Sequence, residues 1–228
     1  MKFTEFSQLY PEIHCDEAGL KHHLIQKLSY NEDSAERVVE QLTDLLKPLN
    51  NTSRRDYFWK EATKEGTSTD VVNVILQSIE HSQLIYMLKY QDWDAYTALH
   101  RCAANKRSDV IQLILHCCVS EDECYQRLRF TNLLGQTPLT MSCREGDSES
   151  VRVILNHINQ DMLYSLLQIG DTLSNTPLNE ASYEGHTEVM KIIHESITQT
   201  QWINLLQING YKELPVLQTA AYWVNKPV

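Results

Sequence analysis

The sequence predicts an all-α chain built as a stacked helical repeat, and three observations carry that prediction. First, one short motif recurs at steps of 40, 39 and 39 residues: Thr97-Ala98-Leu99-His100, Thr137-Pro138-Leu139-Thr140, Thr176-Pro177-Leu178-Asn179, and a weaker Pro215-Val216-Leu217-Gln218. Second, each motif is followed at fixed offsets by a pair of small residues and then by a chain-stopping position: Cys102/Ala103, Ser142/Cys143, Ala181/Ser182 and Ala220/Ala221, then Lys106, Gly146 or Gly185. Third, apolar residues beyond that stop fall at helical spacing. A period of this size marks units that cannot bury their apolar faces alone and must stack on one another.

Taken in chain order, residues 1–55 read as an N-terminal helical cap or degenerate repeat. Leu20, Leu24, Ile25 and Leu28 share one helical face, and Val38, Val39, Leu42, Leu45, Leu46 and Leu49 make a second. Asn31-Glu32-Asp33-Ser34 between them is a turn with an N-cap at Ser34, and Pro48 closes the second helix. A cap of this kind covers the outer face of the first repeat, which would otherwise lie bare. Residues 56–228 read as the array itself, about four and a half units long. Its first copy is worn: Trp59, Ala62, Gly66, Val71/Val72 and Ile75/Leu76. The last unit reaches Ala220-Ala221-Tyr222-Trp223-Val224, which is a first helix without its second.

Within each full unit the parts follow from residue chemistry. The motif threonine is an N-cap, since its hydroxyl accepts from an orphan amide of the first turn. Proline next to it has φ already set and gives up no useful donor. The small residues let neighbouring helices approach closely, and glycine at the stop adopts positive φ. The second helix carries Val110/Ile111 with Ile114/Leu115, Val151 with Ile154/Leu155, and Val189/Met190 with Ile192/Ile193. Ahead of each motif stands a further apolar pattern. Leu88, Leu128, Leu167 and Leu206 lie nine residues before it, Leu84, Cys124, Leu163 and Trp202 thirteen before, and Ile85, Tyr125, Tyr164 and Ile203 twelve before. That spacing predicts a short third helix whose leucines form a buried column, and Tyr90, Phe130, Ile169 and Ile208 then lead into a finger loop.

The Thr-Pro-Leu starts at 137 and 176, Thr97-Ala98-Leu99-His100, and Gly185-His186-Thr187-Glu188-Val189 together resemble the ankyrin repeat, over roughly residues 57–228. Ankyrin repeats are about 33 residues long, and the surplus here is the third-helix segment. A period near 40 also suits HEAT or armadillo repeats, but the capped start and the glycine stop favour the ankyrin reading. The resemblance implies an ankyrin-like solenoid, to which the apolar spacing ahead of each motif adds a short helix per repeat. It also implies that His100 ties the loop to the helix start, and that partners lie against the finger loops and the first helices.

Composition narrows the function. The chain has 228 residues and a net charge of −10, which disfavours a sequence-independent surface for nucleic acid or anionic membrane and mildly favours a basic partner. Met1–Tyr10 contains Glu5 and lacks the apolar core of a signal peptide, and no apolar run approaches membrane-spanning length. The six cysteines then read as reduced thiols in a cytoplasmic protein, and Asn51-Thr52-Ser53 as a polar loop rather than a glycosylation acceptor.

Chemistry-bearing residues are few. His116-Cys117-Cys118 with Cys124 is the densest potential metal cluster, but adjacent cysteines at a helix end point apart and Cys124 sits in an apolar column, so no metal is expected. Cys102 and Cys143 occupy small-residue positions and read as packing, and His22-His23 lies on a solvent-facing helix. The sequence holds no Gly-rich phosphate loop, no H-E-x-x-H and no G-x-S-x-G, so no cofactor and no catalytic centre are expected. What remains is surface. The resemblance, carried over by position, implies a partner-binding face made of Trp93, Asp94, Arg101, Asn105, Leu134, Met141, Arg144, Glu145, Glu180, Tyr183 and Glu184. The sequence-level reading is thus a non-catalytic protein–protein interaction module, an adaptor or scaffold, expected to be monomeric. The alternative is a substrate-capture or spacer region of a larger enzyme, receptor or channel.

Overall fold

The computed structural model describes residues 25, 31–46, 59–60, 62–77, 81–210 and 216. It is helical, with no β-strand among the described residues. The chain divides into two compact units, Met1–Gln91 and Asp92–Val228. The boundary read from sequence at 55/56, the His22-His23 pair and the final half-helix at 217–228 all lie outside the described residues.

In the first unit, helix α1 (Glu32–Leu46) packs on α2 (Thr69–Gln77), and α3 (His81–Leu88) follows. The N-cap of α1 is Asn31 and not Ser34: the Asn31 side chain accepts from the Ser34 amide at 2.8 Å, and its carbonyl from the Ala35 amide at 2.9 Å. Asparagine is the stronger capping residue of that turn because its carbonyl oxygen reaches the third amide of the helix. Ala35, Val38 and Val39 are buried, and so are Trp59, Ala62, Val71, Val72 and Leu76 of the worn first copy. Gly66 sits at φ 88°, the stop read for that copy.

The second unit repeats one plan three times. The first helices are α4 (Ala98–Ala104), α7 (Pro138–Glu145) and α10 (Pro177–Tyr183). The second helices are α5 (Ser108–His116), α8 (Ser148–Leu155) and α11 (Thr187–Ser196). The third helices are α6 (Glu121–Leu128), α9 (Gln160–Leu167) and α12 (Gln199–Leu206). First helices pack on first helices, second on second, and each first on its own second, giving two layers with the core between them. Cys102, Ala103, Ser142, Cys143, Ala181 and Ser182 are the buried small positions of the first layer, and Val110, Ile111, Ile114, Leu115, Val151, Ile154, Val189, Ile192 and Ile193 the apolar pairs of the second. Met190, paired with Val189 in the sequence reading, is only half-buried.

Each junction is pinned as the motif requires. The Thr137 side chain accepts from the Thr140 amide at 3.1 Å, and the Thr176 side chain from the Asn179 amide at 3.3 Å. The stop is left-handed in every copy, at φ 68° for Gly146, 77° for Gly185 and 54° for Lys106, so the lysine holds a conformation that costs an L-residue free energy. The third helices have side-chain caps that the apolar pattern did not disclose: Ser120, Asn159 and Thr198 each accept from an amide of the first turn.

The leucine column needs one correction. Leu88, Leu128 and Leu167 are buried, but Leu206 is half-exposed and Leu205 is fully buried instead. The buried stripe of the third helices spans two adjacent positions, and Leu166 and Arg127 are the buried neighbours in the preceding copies. In the last copy it is centred one residue earlier.

Candidate protein-binding surface

Between the third helix of one repeat and the first helix of the next the chain makes a finger, and all three described fingers are the same turn. Asp92, Asn132 and Asp171 stand five residues before the motif threonines. Each turns its own tip through one side-chain oxygen. Asp92 Oδ1 accepts from the Asp94 and Tyr96 amides at 3.0 and 2.8 Å. Asn132 Oδ1 accepts from Leu134 and Gln136, both at 3.0 Å. Asp171 Oδ1 accepts from Leu173 and Asn175 at 2.8 and 2.9 Å. These side-chain-to-backbone bonds let a five-residue excursion hold its shape without a core of its own. The signal was legible as Asp or Asn at steps of 40 and 39, and the apolar reading passed over it.

Successive fingers are joined by backbone. The Leu133 amide donates to the Asp94 carbonyl at 3.1 Å, and the Thr172 amide to the Leu134 carbonyl at 2.9 Å. Gly135 makes that approach possible. It lies at φ 76°, and a Cβ there would meet Thr172 N at 2.9 Å. Ala95 and Ser174 hold the corresponding left-handed position in the other fingers at φ 58° and 66°.

His100 fastens a first helix to the next finger, the tie that the resemblance implies. Its Nδ1 accepts from the Thr97 amide at 3.1 Å, so Nε2 carries the proton and donates to the Gln136 carbonyl at 3.0 Å. Burial pushes this imidazole from its ordinary 6.5 down to about 4, against the raising pull of the Gln136 carbonyl and Asp92. The ring is therefore neutral at pH 7. Asn179 takes the same place in the third copy, its Oδ1 accepting from the Thr176 amide at 3.1 Å.

The outward-facing residues gather on this side. Trp93 is 83 % exposed, Leu133 66 %, Leu173 55 %, Leu134 52 % and Tyr183 39 %. Leu134, Gln136, Arg144, Asp171, Thr172, Leu173, Asn175, Glu180, Tyr183 and Glu184 line a groove of about 410 Å³ between the second and third fingers and α10. Leu134, Arg144, Glu180, Tyr183 and Glu184 of the sequence-derived set are thus brought together, joined by Asp171 and Leu173. Trp93 and Asp94 stand on the first finger, outside the groove. Asn105 and Glu145 lie at the C-terminal ends of α4 and α7, also outside it.

The position four residues after each motif threonine is not the exposed one expected. Met141 is 1 % exposed and belongs to the core, Glu180 is 7 % exposed, and Arg101 is turned inward. The first and third fingers fold back onto this position. Arg101 pairs with Asp92 of its own finger and lies 4.6 Å from the centroid of the Tyr96 ring. Glu180 hydrogen-bonds Asn175 of its own finger, and burial, followed by the Asp171 charge, pushes its carboxyl above the usual range. Arg144 is held elsewhere, by Gln136 Oε1 at 3.3 Å and Glu145 Oε1 at 3.4 Å.

The thiols are set in packing. Cys102 and Cys143 are fully buried, and burial raises both. Cys117 donates to the Leu113 carbonyl at 3.2 Å and Cys124 to that of Leu115 at 3.4 Å. Among the described residues no group of three or more His, Cys, Asp or Glu is placed to hold a metal ion, and no helix is long and apolar enough to cross a membrane.

Comparison with known proteins agrees with the local geometry. No curated protein matches the chain. Residues 118–201 match the family model for ankyrin repeats, in three copies. The second unit has capped starts, left-handed stops and paired helices, with a third helix added to each repeat, and its residues 118–201 are similar to ankyrin repeats.

Proposed function

We propose that this chain is a non-catalytic adaptor or scaffold that binds a protein partner on the face made by its finger loops and first helices. Ankyrin repeats are in general protein–protein interaction modules. The observation that carries the reading here is the concentration of exposed large apolar side chains on one side: Trp93, Leu133, Leu134, Leu173 and Tyr183 project from fingers and α10, while Val119 and Ile203 are the exposed ones elsewhere among the described residues. Apolar and aromatic anchors in a pre-ordered setting favour association, because little conformational freedom is lost when the partner arrives. The fingers are pre-ordered by their own side-chain and backbone bonds.

The test is a captured partner and a map of where it binds. Trp93→Ala and Tyr183→Ala should each weaken binding by roughly fivefold or more, with thermal stability nearly unchanged. Gln112→Glu and Lys191→Glu, exposed positions on the second helices, should leave binding intact. The reverse pattern would place the working face on the other layer and overturn the reading.

A further inference from the structure

We propose that the groove between the second and third fingers receives an arginine side chain of the partner, held against Asp171 and Glu180 with its stem on Leu134, Leu173 and Tyr183. This rests on the binding face proposed above and names the chemistry of one site within it.

The argument comes from comparing copies of the same unit inside the chain. In the unit that begins at the first described finger, Asp92 spends Oδ1 on its own turn and turns Oδ2 to Arg101, four residues after the motif threonine. The guanidinium is completed by the Tyr96 ring. In the unit 79 residues later, Asp171 stands where Asp92 stands and spends Oδ1 in the same two bonds. The arginine position is now Glu180. The internal cation has been replaced by a second carboxylate, and neither Asp171 nor Glu180 forms an ion pair among the described residues.

The surroundings favour a guanidinium arriving from outside. Three carboxylates, those of Asp171, Glu180 and Glu184, line the groove against one cation, Arg144, which is already engaged by Gln136 and Glu145. Glu180 is more than nine-tenths buried, and the Asn175 bond and the nearby Arg144 charge do not offset that burial, which still holds its carboxyl above the usual range; a planar donor can restore what desolvation removed. Leu134, Leu173 and Tyr183 supply an apolar wall for an aliphatic stem and an aromatic ring for the charged end. A lysine offers a point charge without the planar fork and fits less well.

The probe is acetyl-Leu-Arg-Leu-amide, titrated into the full chain and followed by amide chemical shifts, with its citrulline counterpart as control. Citrulline keeps the shape and removes the charge. The expected result is saturable shifts at the groove residues, with a dissociation constant on the order of 1 mM, and at least roughly tenfold weaker binding of the citrulline peptide. Glu180→Gln and Glu184→Gln should each weaken the arginine peptide. Glu180→Arg is the decisive variant: it should pair with Asp171 as Arg101 pairs with Asp92, fill the groove from within and abolish binding, while its melting temperature stays level or rises. Equal binding of the two peptides, shifts away from the groove, no shifts at any attainable peptide concentration, or unimpaired binding to a folded Glu180→Arg chain would each overturn the assignment. A partner that still depends on Trp93 and Tyr183 after such a failure would leave the wider binding face standing and remove only the arginine site.

Discussion

Acidifying the chain should weaken it through His100. In the unfolded chain this imidazole takes up a proton near 6.5, while in the folded chain it refuses one until about pH 4, because burial opposes the charge and Nδ1 is occupied by the Thr97 amide. Between those values the unfolded state binds more protons, so stability is full above about pH 6.5 and declines as pH falls toward 4. Every pH unit that separates the folded and unfolded titrations is worth about 1.4 kcal/mol, which makes the whole loss about 3 kcal/mol and the loss at pH 5 about 2 kcal/mol. For a chain of this size that is a fall in melting temperature of roughly 4–8 °C at pH 5 relative to pH 7. Glu180 works in the other direction. Its folded carboxyl titrates above the ordinary value, so the folded state takes that proton first and gains stability as pH falls through the window. The measurement is therefore made as a difference. His100→Asn copies the arrangement of Asn179, which keeps the bond to the cap amide and cannot titrate. Melting curves of the wild type and of His100→Asn should diverge below pH 6.5, while a histidine NMR titration of the wild type shows one ring neutral to about pH 4. Parallel pH profiles for the two proteins, or a His100 ring that titrates near its ordinary value, would refute the reasoning.

Three further outcomes follow from the packing and the backbone. Leu167→Ala, at a fully buried third-helix position, should cost about 2–5 kcal/mol in chemical denaturation, and half-exposed Leu206→Ala distinctly less; equal costs would deny the shift of the buried stripe to Leu205. Lys106→Gly should stabilise by about 1 kcal/mol, since it relieves a left-handed lysine at the stop where Gly146 and Gly185 stand in the other copies, and a lower denaturation midpoint would count against it. Gly135→Ala should destabilise by about 1–3 kcal/mol, because it combines positive φ with a Cβ set against the Thr172 backbone. Loss of protection from hydrogen exchange at the Thr172 amide would report that the fingers had parted.

Most of the fold was legible because repetition checks itself. A threonine, a small pair, a stop and an apolar pair at one offset are weak signals singly, but the same order after 39 residues leaves little room for another reading. The exposed surface was less legible. Offsets on a helix say which residues face away from the core, and they do not say what a loop lays over them. Helical offset alone reads Arg101, Met141 and Glu180 as outward; Arg101 and Glu180 are instead engaged by Asp92 and Asn175 of their own fingers, and Met141 is buried in the core. The start of α1 was missed for a related reason, since Asn31 and Ser34 both satisfy capping chemistry and only the hydrogen bonds distinguish them.

The polar pins between repeats also bear on how the second unit carries load. Each junction is crossed at well-separated points: between the first and second copies by Leu133 to Asp94 and His100 to Gln136, and between the second and third by Thr172 to Leu134 and by His186 Nε2 to the Arg144 carbonyl at 2.9 Å. Sliding one repeat across the next breaks all the pins of a junction together, whereas peeling breaks them in turn. Units that touch only their neighbours share no longer-range tie to redistribute the strain. Tension along the stack is therefore released junction by junction, so such an array is stiff in shear and yields by opening at its weakest seam.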